Sequence, residues 1–133
     1  LAFGANCGVG ASDMLRTVLG FSATSNDLPI IAKGNAGIPK YTDGKIHYDG
    51  TPELMSHYAT LAYDCGVTII GGCCGTTPNH LSAMRKALDG HVKGFSPKLE
   101  TIVKALGDFS SISDGTDDNT PTRKRQNRRH LKI

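Results

Sequence analysis

The chain has 133 residues, a formal net charge of +3 and a hydrophobic fraction of 38%. This length allows one modest domain, and no apolar run approaches the roughly 18 residues that a membrane-spanning helix needs. The mild charge does not by itself indicate a nucleic acid or an anionic membrane as partner.

The first predicted unit is a strand, a glycine-rich loop and a helix. An apolar stretch at residues 1–3 predicts a strand, the loop spans residues 4–10, and a helix is predicted over residues 12–21. Because the sequence is already in a strand at Leu1, we expect it to be the back half of a longer protein.

The second predicted unit begins with a nearly continuous apolar run at residues 28–33. Such runs are typical of strands buried on both faces of a parallel sheet. We expect a glycine-rich and then polar loop over residues 34–50, followed by a helix. Thr51 is a suitable N-cap, Pro52 suits the first helical position, and Gly66 suits the left-handed position that ends a helix.

The third predicted unit is a strand over residues 67–71 and a helix over residues 78–89, with Leu81, Met84 and Leu88 facing inward. A short helix is possible at residues 99–106. The chain then becomes rich in Ser, Asp, Gly and Thr, and residues 123–133 contain six basic groups and no acid. We therefore predict a domain over residues 1–107 and a disordered basic tail over residues 108–133.

Three strand–helix repeats predict an α/β fold, because helical crossovers place successive strands parallel and adjacent. Three units form either an open sheet or part of a closed barrel. An eight-stranded barrel needs about 250 residues, so this chain alone cannot close one.

Three of the four cysteines follow predicted strands. Cys7 lies in the first loop, and Cys73 and Cys74 lie between glycines directly after the third strand. Because the carboxyl ends of parallel strands carry the chemistry of α/β proteins, these thiols indicate a metal site with one open position. Inert buried thiols and redox chemistry, including a disulfide from Cys7, are the alternatives. Cys65 lies on the apolar face of a helix and is predicted to be a core residue.

Other polar side chains near these loops have weaker signals. Asn6 and Asn35 follow corresponding strands, where they either bind the amino-acid end of a substrate or tie neighbouring loops together. His80 is the only histidine near the cysteine pair in sequence, and we interpret it as a surface or capping residue. The three methionines, Met14, Met55 and Met84, are predicted to lie in the core.

Three motifs together resemble the last three motifs of the homocysteine S-methyltransferase family. They are Gly-Ala-Asn-Cys at 4–7, Gly-Asn-Ala-Gly at 34–37 and Gly-Gly-Cys-Cys-Gly-Thr-Thr-Pro at 71–78. The resemblance implies a zinc-dependent (βα)8 TIM barrel, to which this chain contributes the last three βα units. It also implies that Cys7, Cys73 and Cys74 are the Zn²⁺ ligands.

The implied reaction is methyl transfer to the thiolate of homocysteine, which gives methionine. Betaine is one donor that the family uses, and the residues do not distinguish it from S-methylmethionine or a methylated corrinoid. No signal peptide is visible, so we expect a reducing, cytoplasmic setting without a membrane partner. A non-catalytic metal-binding protein, or a nucleic-acid-binding protein acting through its basic tail, are the alternatives. Nucleic acid is the weaker one, since the tail lacks interleaved aromatic residues.

Overall fold

Residues 1–24 and 27–111 are described by a computed structural model. Nine helices and strands lie in this part of the chain, in this order: β1 (Phe3–Asn6), α1 (Ala11–Thr24), β2 (Ile30–Gly34), β3 (Pro39–Thr42), β4 (Lys45–Tyr48), α2 (Pro52–Asp64), β5 (Val67–Gly72), α3 (Pro78–Asp89) and α4 (Leu99–Leu106). The last 22 residues of the predicted tail, 112–133, lie outside the described residues.

A parallel three-stranded sheet carries the fold, with the strand order β1-β2-β5. This arrangement confirms the predicted α/β class and the predicted parallel strand neighbours. Ala5, Ala32 and Ile70 are in register across the three strands, and Ala32 is fully buried on the helix-covered face. One step further along, Asn6, Lys33 and Gly71 are in register at the carboxyl end of the sheet. The glycine-rich loops therefore leave the same edge of the sheet.

The core lies between this sheet and the helices, and α2 is central to it. Tyr58 is fully buried, and its hydroxyl accepts a hydrogen bond of 3.2 Å from the backbone N–H of Gly34. Cys65 is also buried, as predicted. The predicted core positions of all three methionines are confirmed, with Met14, Met55 and Met84 each at most 3% exposed. Leu81, by contrast, is 48% exposed, so the prediction that it faces inward was wrong.

The predicted ends of α2 are confirmed. The Thr51 hydroxyl accepts from the backbone N–H of Leu54 at 3.1 Å, and Gly66 has the left-handed φ of 97°. The first unit differs more from the prediction. Its strand is Phe3–Asn6 where residues 1–3 were predicted, and its helix is Ala11–Thr24, which extends the predicted helix at both ends. None of the described helices is long and apolar enough to cross a membrane.

A β-hairpin replaces part of the predicted polar loop. β3 and β4 pair in antiparallel fashion around Asp43 and Gly44, whose φ values are 52° and 76°. Two successive positive φ values at an Asp-Gly pair are typical of the tight turns that join hairpin strands. The loop prediction was wrong here because the two strands are only four residues long and largely exposed, so their short alternation of polar and apolar residues marks no buried face.

Residues after the third repeat pack against the outside of the helices. The predicted helix at 99–106 is present as α4, and it buries Ile102 and most of Leu106 near α1 and α2. The chain then crosses the start of α1, where the buried carboxylate of Asp13 accepts from the backbone N–H of Ser110 at 3.1 Å. Residues 108–111 of the predicted tail are therefore seated on α1.

Candidate metal centre

Beyond the carboxyl ends of the three parallel strands, backbone hydrogen bonds continue between the loops that follow β1, β2 and β5. Cys7 N–H donates to the carbonyl of Lys33 and Cys73 N–H donates to the carbonyl of Gly34, both at 2.9 Å. Ala36 N–H donates in turn to the carbonyl of Cys74, also at 2.9 Å. These hydrogen bonds fix the backbone on both sides of the cysteine pair.

The thiols of Cys7, Cys73 and Cys74 converge at this edge of the sheet. Their sulfur atoms all lie within 4.8 Å of one another, and the Cys7 and Cys74 sulfurs are 3.6 Å apart. Two sulfurs bound to one tetrahedral zinc lie about 3.8 Å apart, given Zn–S bonds of about 2.3 Å. All three residues are half-buried and none is in a disulfide. The donor set and its spacing therefore fit a zinc ion with one position left open.

Cys7 reaches the cluster through an unusual backbone conformation. Its φ is 64°, and the next residue, Gly8, is also left-handed at 77°. This turn aims the backbone N–H of Gly8 at the Cys7 sulfur, and that hydrogen bond is the main reason why the pKa of Cys7 is lowered. The pKa of Cys73 is raised, chiefly because its thiol shares a hydrogen bond with Cys7. Cys7 is therefore favoured as a thiolate over Cys73.

Asn35 is a buried amide between the loops. Its side-chain oxygen accepts from the backbone N–H of Cys74 at 3.1 Å. Asn35 is 3% exposed, so this contact uses a side chain with little access to solvent. The structure thus gives Asn35 the loop-tying contact that was one of its two expected roles.

Asn6 occupies a different environment at the end of β1. It is exposed, and it lies level with Lys33 and Gly71 in the register of the sheet. The aliphatic stem of Lys33 lies across Gly71, where a β-carbon would contact it at 3.4 Å. Lys33 was not among the residues singled out from the sequence, because a single lysine in an apolar strand carries no distinctive pattern.

His80 joins the start of α3 to the end of the hairpin. Its Nδ1 accepts from the backbone N–H of Thr77 at 3.1 Å, so the proton is on Nε2, which donates to the carbonyl of Gly50 at 2.8 Å. The capping role expected for His80 is confirmed. The surface position was the alternative to this capping role, and the structure buries the residue to 9% exposure.

Tyr48 is a site neighbour that sequence reasoning missed. It ends β4, and its ring packs against the main chain of Gly75, directly after the cysteine pair. The pKa of Tyr48 is raised, chiefly by the neighbouring Cys74 thiol. The Asp-Gly turn at residues 43–44, together with the alternation of polar and apolar residues on both sides of it, was the sequence signal for the hairpin that brings this tyrosine to the site.

The pKa differences predict an order of thiol alkylation in the metal-free, reduced chain. Cys7 should react first with limiting iodoacetamide, because its lowered pKa gives it the larger thiolate fraction at neutral pH. Burial raises the pKa of Cys65 to about 12, so this thiol should stay unmodified until the chain unfolds. Peptide mass spectrometry between about pH 6 and 9 measures both rates. Faster labelling of Cys65 than of Cys7 under native conditions would contradict the prediction.

A comparison with protein families agrees with this geometry. The family model described as homocysteine S-methyltransferase matches residues 1–88, which contain all three thiols and both loop asparagines. The match ends within α3, before α4 and the residues that cross α1. Because it covers about two thirds of the sequence, the chain belongs to the homocysteine S-methyltransferase family.

Proposed function

We propose that the protein binds zinc through Cys7, Cys73 and Cys74 and transfers a methyl group to homocysteine, giving methionine. The observation that carries this proposal is the convergence of three thiols, all within 4.8 Å, in a chain of this methyltransferase family. Betaine is our first candidate for the methyl donor.

The three cysteines have the properties that this chemistry needs. Three thiolates carry one more negative charge than a divalent zinc ion neutralises, so a further sulfur ligand would keep much of its electron density. Bound zinc would supply a Lewis-acid centre that holds a substrate thiol in its deprotonated form at neutral pH. The chain itself would orient that sulfur, since the backbone hydrogen bonds of Cys7 to Lys33 and of Cys73 to Gly34 fix these ligand residues.

We assign the two asparagines to the substrate side of the site. Asn6 is exposed beside the cysteine loop, so its amide is available to the amino-acid end of homocysteine. Asn35 already accepts a hydrogen bond from the backbone N–H of Cys74, and its main contribution would be to keep that ligand residue in place for the incoming substrate.

We also propose that the three repeats are the last βα units of a (βα)8 barrel. The helices cover one face of the sheet, whereas Lys33 and Ile69 are exposed on the other, as expected of residues that face a barrel interior. A reducing compartment such as the cytoplasm is consistent with four free cysteines.

Methionine formation tests the proposed function. The zinc-loaded full-length protein is supplied with homocysteine and, in turn, betaine, S-methylmethionine or a methylated corrinoid, and methionine is measured by mass spectrometry. We expect product with one donor, loss of product after chelation and recovery when zinc is restored. Absence of methionine with every donor would contradict the transferase proposal.

Sulfur coordination distinguishes an enzyme from a purely structural metal site. X-ray absorption of the zinc-loaded protein should show a fourth sulfur only after homocysteine is added, because three cysteines leave one position open. A site that already holds four protein ligands, and does not change with homocysteine, would indicate a non-catalytic metal-binding protein.

A further inference from the structure

Lys33 is the only charged residue in the three strands of the parallel sheet. It belongs to β2, the central strand, and strands in this position are normally apolar along their whole length. Its neighbour Ala32 is fully buried under the helices, so the alternation of side chains along a strand places Lys33 on the opposite face. That face is the one that we assign to the barrel interior.

The side chain of Lys33 extends over the strand that leads to the cysteine pair. Gly71 of β5 is in register with Lys33, and the Cγ, Cδ and Cε atoms of the lysine lie 3.4, 3.9 and 3.9 Å from the position of a β-carbon on Gly71. The absence of a side chain at Gly71 thus leaves room for the lysine stem. On the other side, Asn6 of β1 is also in register with Lys33 and is exposed. Lys33 therefore lies at the level of the sheet from which the cysteine loops depart.

The ammonium group of Lys33 has no carboxylate partner in the part of the chain that the structure describes. The four ion pairs within residues 1–24 and 27–111 join other side chains. A cation that is enclosed in a protein interior without an anion is strongly disfavoured. A lysine on the inner face of a barrel therefore needs an anionic partner, and a bound substrate with a carboxylate supplies one.

We propose that Lys33 binds the α-carboxylate of homocysteine and thereby selects amino-acid thiols over thiols that lack a carboxylate. The inference rests on the proposed function, which brings the substrate sulfur to the cysteine cluster. The carboxyl end of the sheet would then hold both ends of a small substrate, with the sulfur at the thiols and the carboxylate at Lys33. An ammonium–carboxylate hydrogen bond is roughly twice as strong as one between neutral groups, so its loss has a measurable effect.

The test compares two thiols that differ only in the carboxylate. Homocysteine and 3-aminopropane-1-thiol, which is homocysteine without its carboxylate, are titrated into the zinc-loaded full-length protein by isothermal calorimetry. Lys33→Met removes the ammonium group and keeps an unbranched stem to pack on Gly71. We expect this variant to bind homocysteine about 10- to 100-fold more weakly and to bind 3-aminopropane-1-thiol as the wild type does. Lys33→Arg keeps the positive charge and should retain most of the preference for homocysteine.

Lys45→Met is the matched control, because Lys45 is an exposed lysine on β4. This variant should bind both thiols, and the same amount of zinc, as the wild type does. If Lys33→Met binds homocysteine with unchanged affinity, or weakens the binding of both thiols equally, the inference is overturned while the proposed function stands. A wild-type protein that holds zinc but binds neither thiol would overturn the proposed function together with the inference.

Discussion

Replacing Cys73 and Cys74 together with serine is expected to eliminate zinc binding and, with it, methyl transfer. A serine hydroxyl has nearly the shape of a thiol but is not ionised at neutral pH, so two of the three proposed ligands are lost. Structural zinc sites have binding free energies of roughly 10–16 kcal/mol. If the three ligands contribute about equally, the loss of one should weaken zinc binding about a thousandfold. Metal analysis after dialysis, and competition with a chromophoric chelator, measure the effect.

Cys65→Ala is the matched control for this double variant. Cys65 is a free thiol like the others, but it is buried at the end of α2 and does not belong to the cluster. The variant should keep one zinc per chain even if it loses some stability. Stoichiometric zinc in the Cys73→Ser/Cys74→Ser protein would show that the ligands had been assigned wrongly.

A second large effect is expected at Tyr58, where substitution by alanine should reduce the free energy of unfolding by about 3–5 kcal/mol. The ring is fully buried beside Met14 and Gly34, so its removal leaves a cavity in the centre of the core. A loss of this size is a large part of the roughly 5–15 kcal/mol that stabilises a typical domain. Chemical denaturation followed by circular dichroism measures it.

The Tyr58→Phe variant distinguishes the contribution of the ring to stability from that of the hydroxyl. The phenylalanine retains the packing but leaves the buried N–H of Gly34 without the hydroxyl oxygen that accepts from it. An unsatisfied buried donor costs about 1–3 kcal/mol, so this variant should fall between wild type and Tyr58→Ala. Equal stabilities for the phenylalanine and alanine variants would contradict a packing role for the ring.

Much of the fold could be predicted because local and long-range signals agree. The run at residues 28–33 is apolar enough to indicate a buried parallel strand, and Thr51, Pro52 and Gly66 mark the ends of α2 by known capping chemistry. The convergence of Cys7 with Cys73 and Cys74 followed from topology alone, since parallel strand ends meet at one edge.

The hairpin and its tyrosine could not be predicted in the same way. Strands β3 and β4 are four residues long and largely exposed, so their short alternation of polar and apolar residues buries no face against the core, and the strands were not distinguished from a polar loop. The contact of Tyr48 with the cysteine loop depends on hydrogen bonds that clamp Gly50 from two distant segments. Such contacts follow from the completed fold and leave no periodic pattern in the sequence.

The left-handed backbone of Cys7 sets stability against the placement of a thiol at this position. A residue with a β-carbon is disfavoured at a φ of 64°, typically by about 1 kcal/mol or more, whereas glycine adopts it freely. Selection for thermal stability alone would therefore favour glycine here, at the cost of a thiol. The cysteine keeps its sulfur in the cluster, 3.6 Å from that of Cys74, so the fold accepts a local backbone cost in order to hold a thiol at this position.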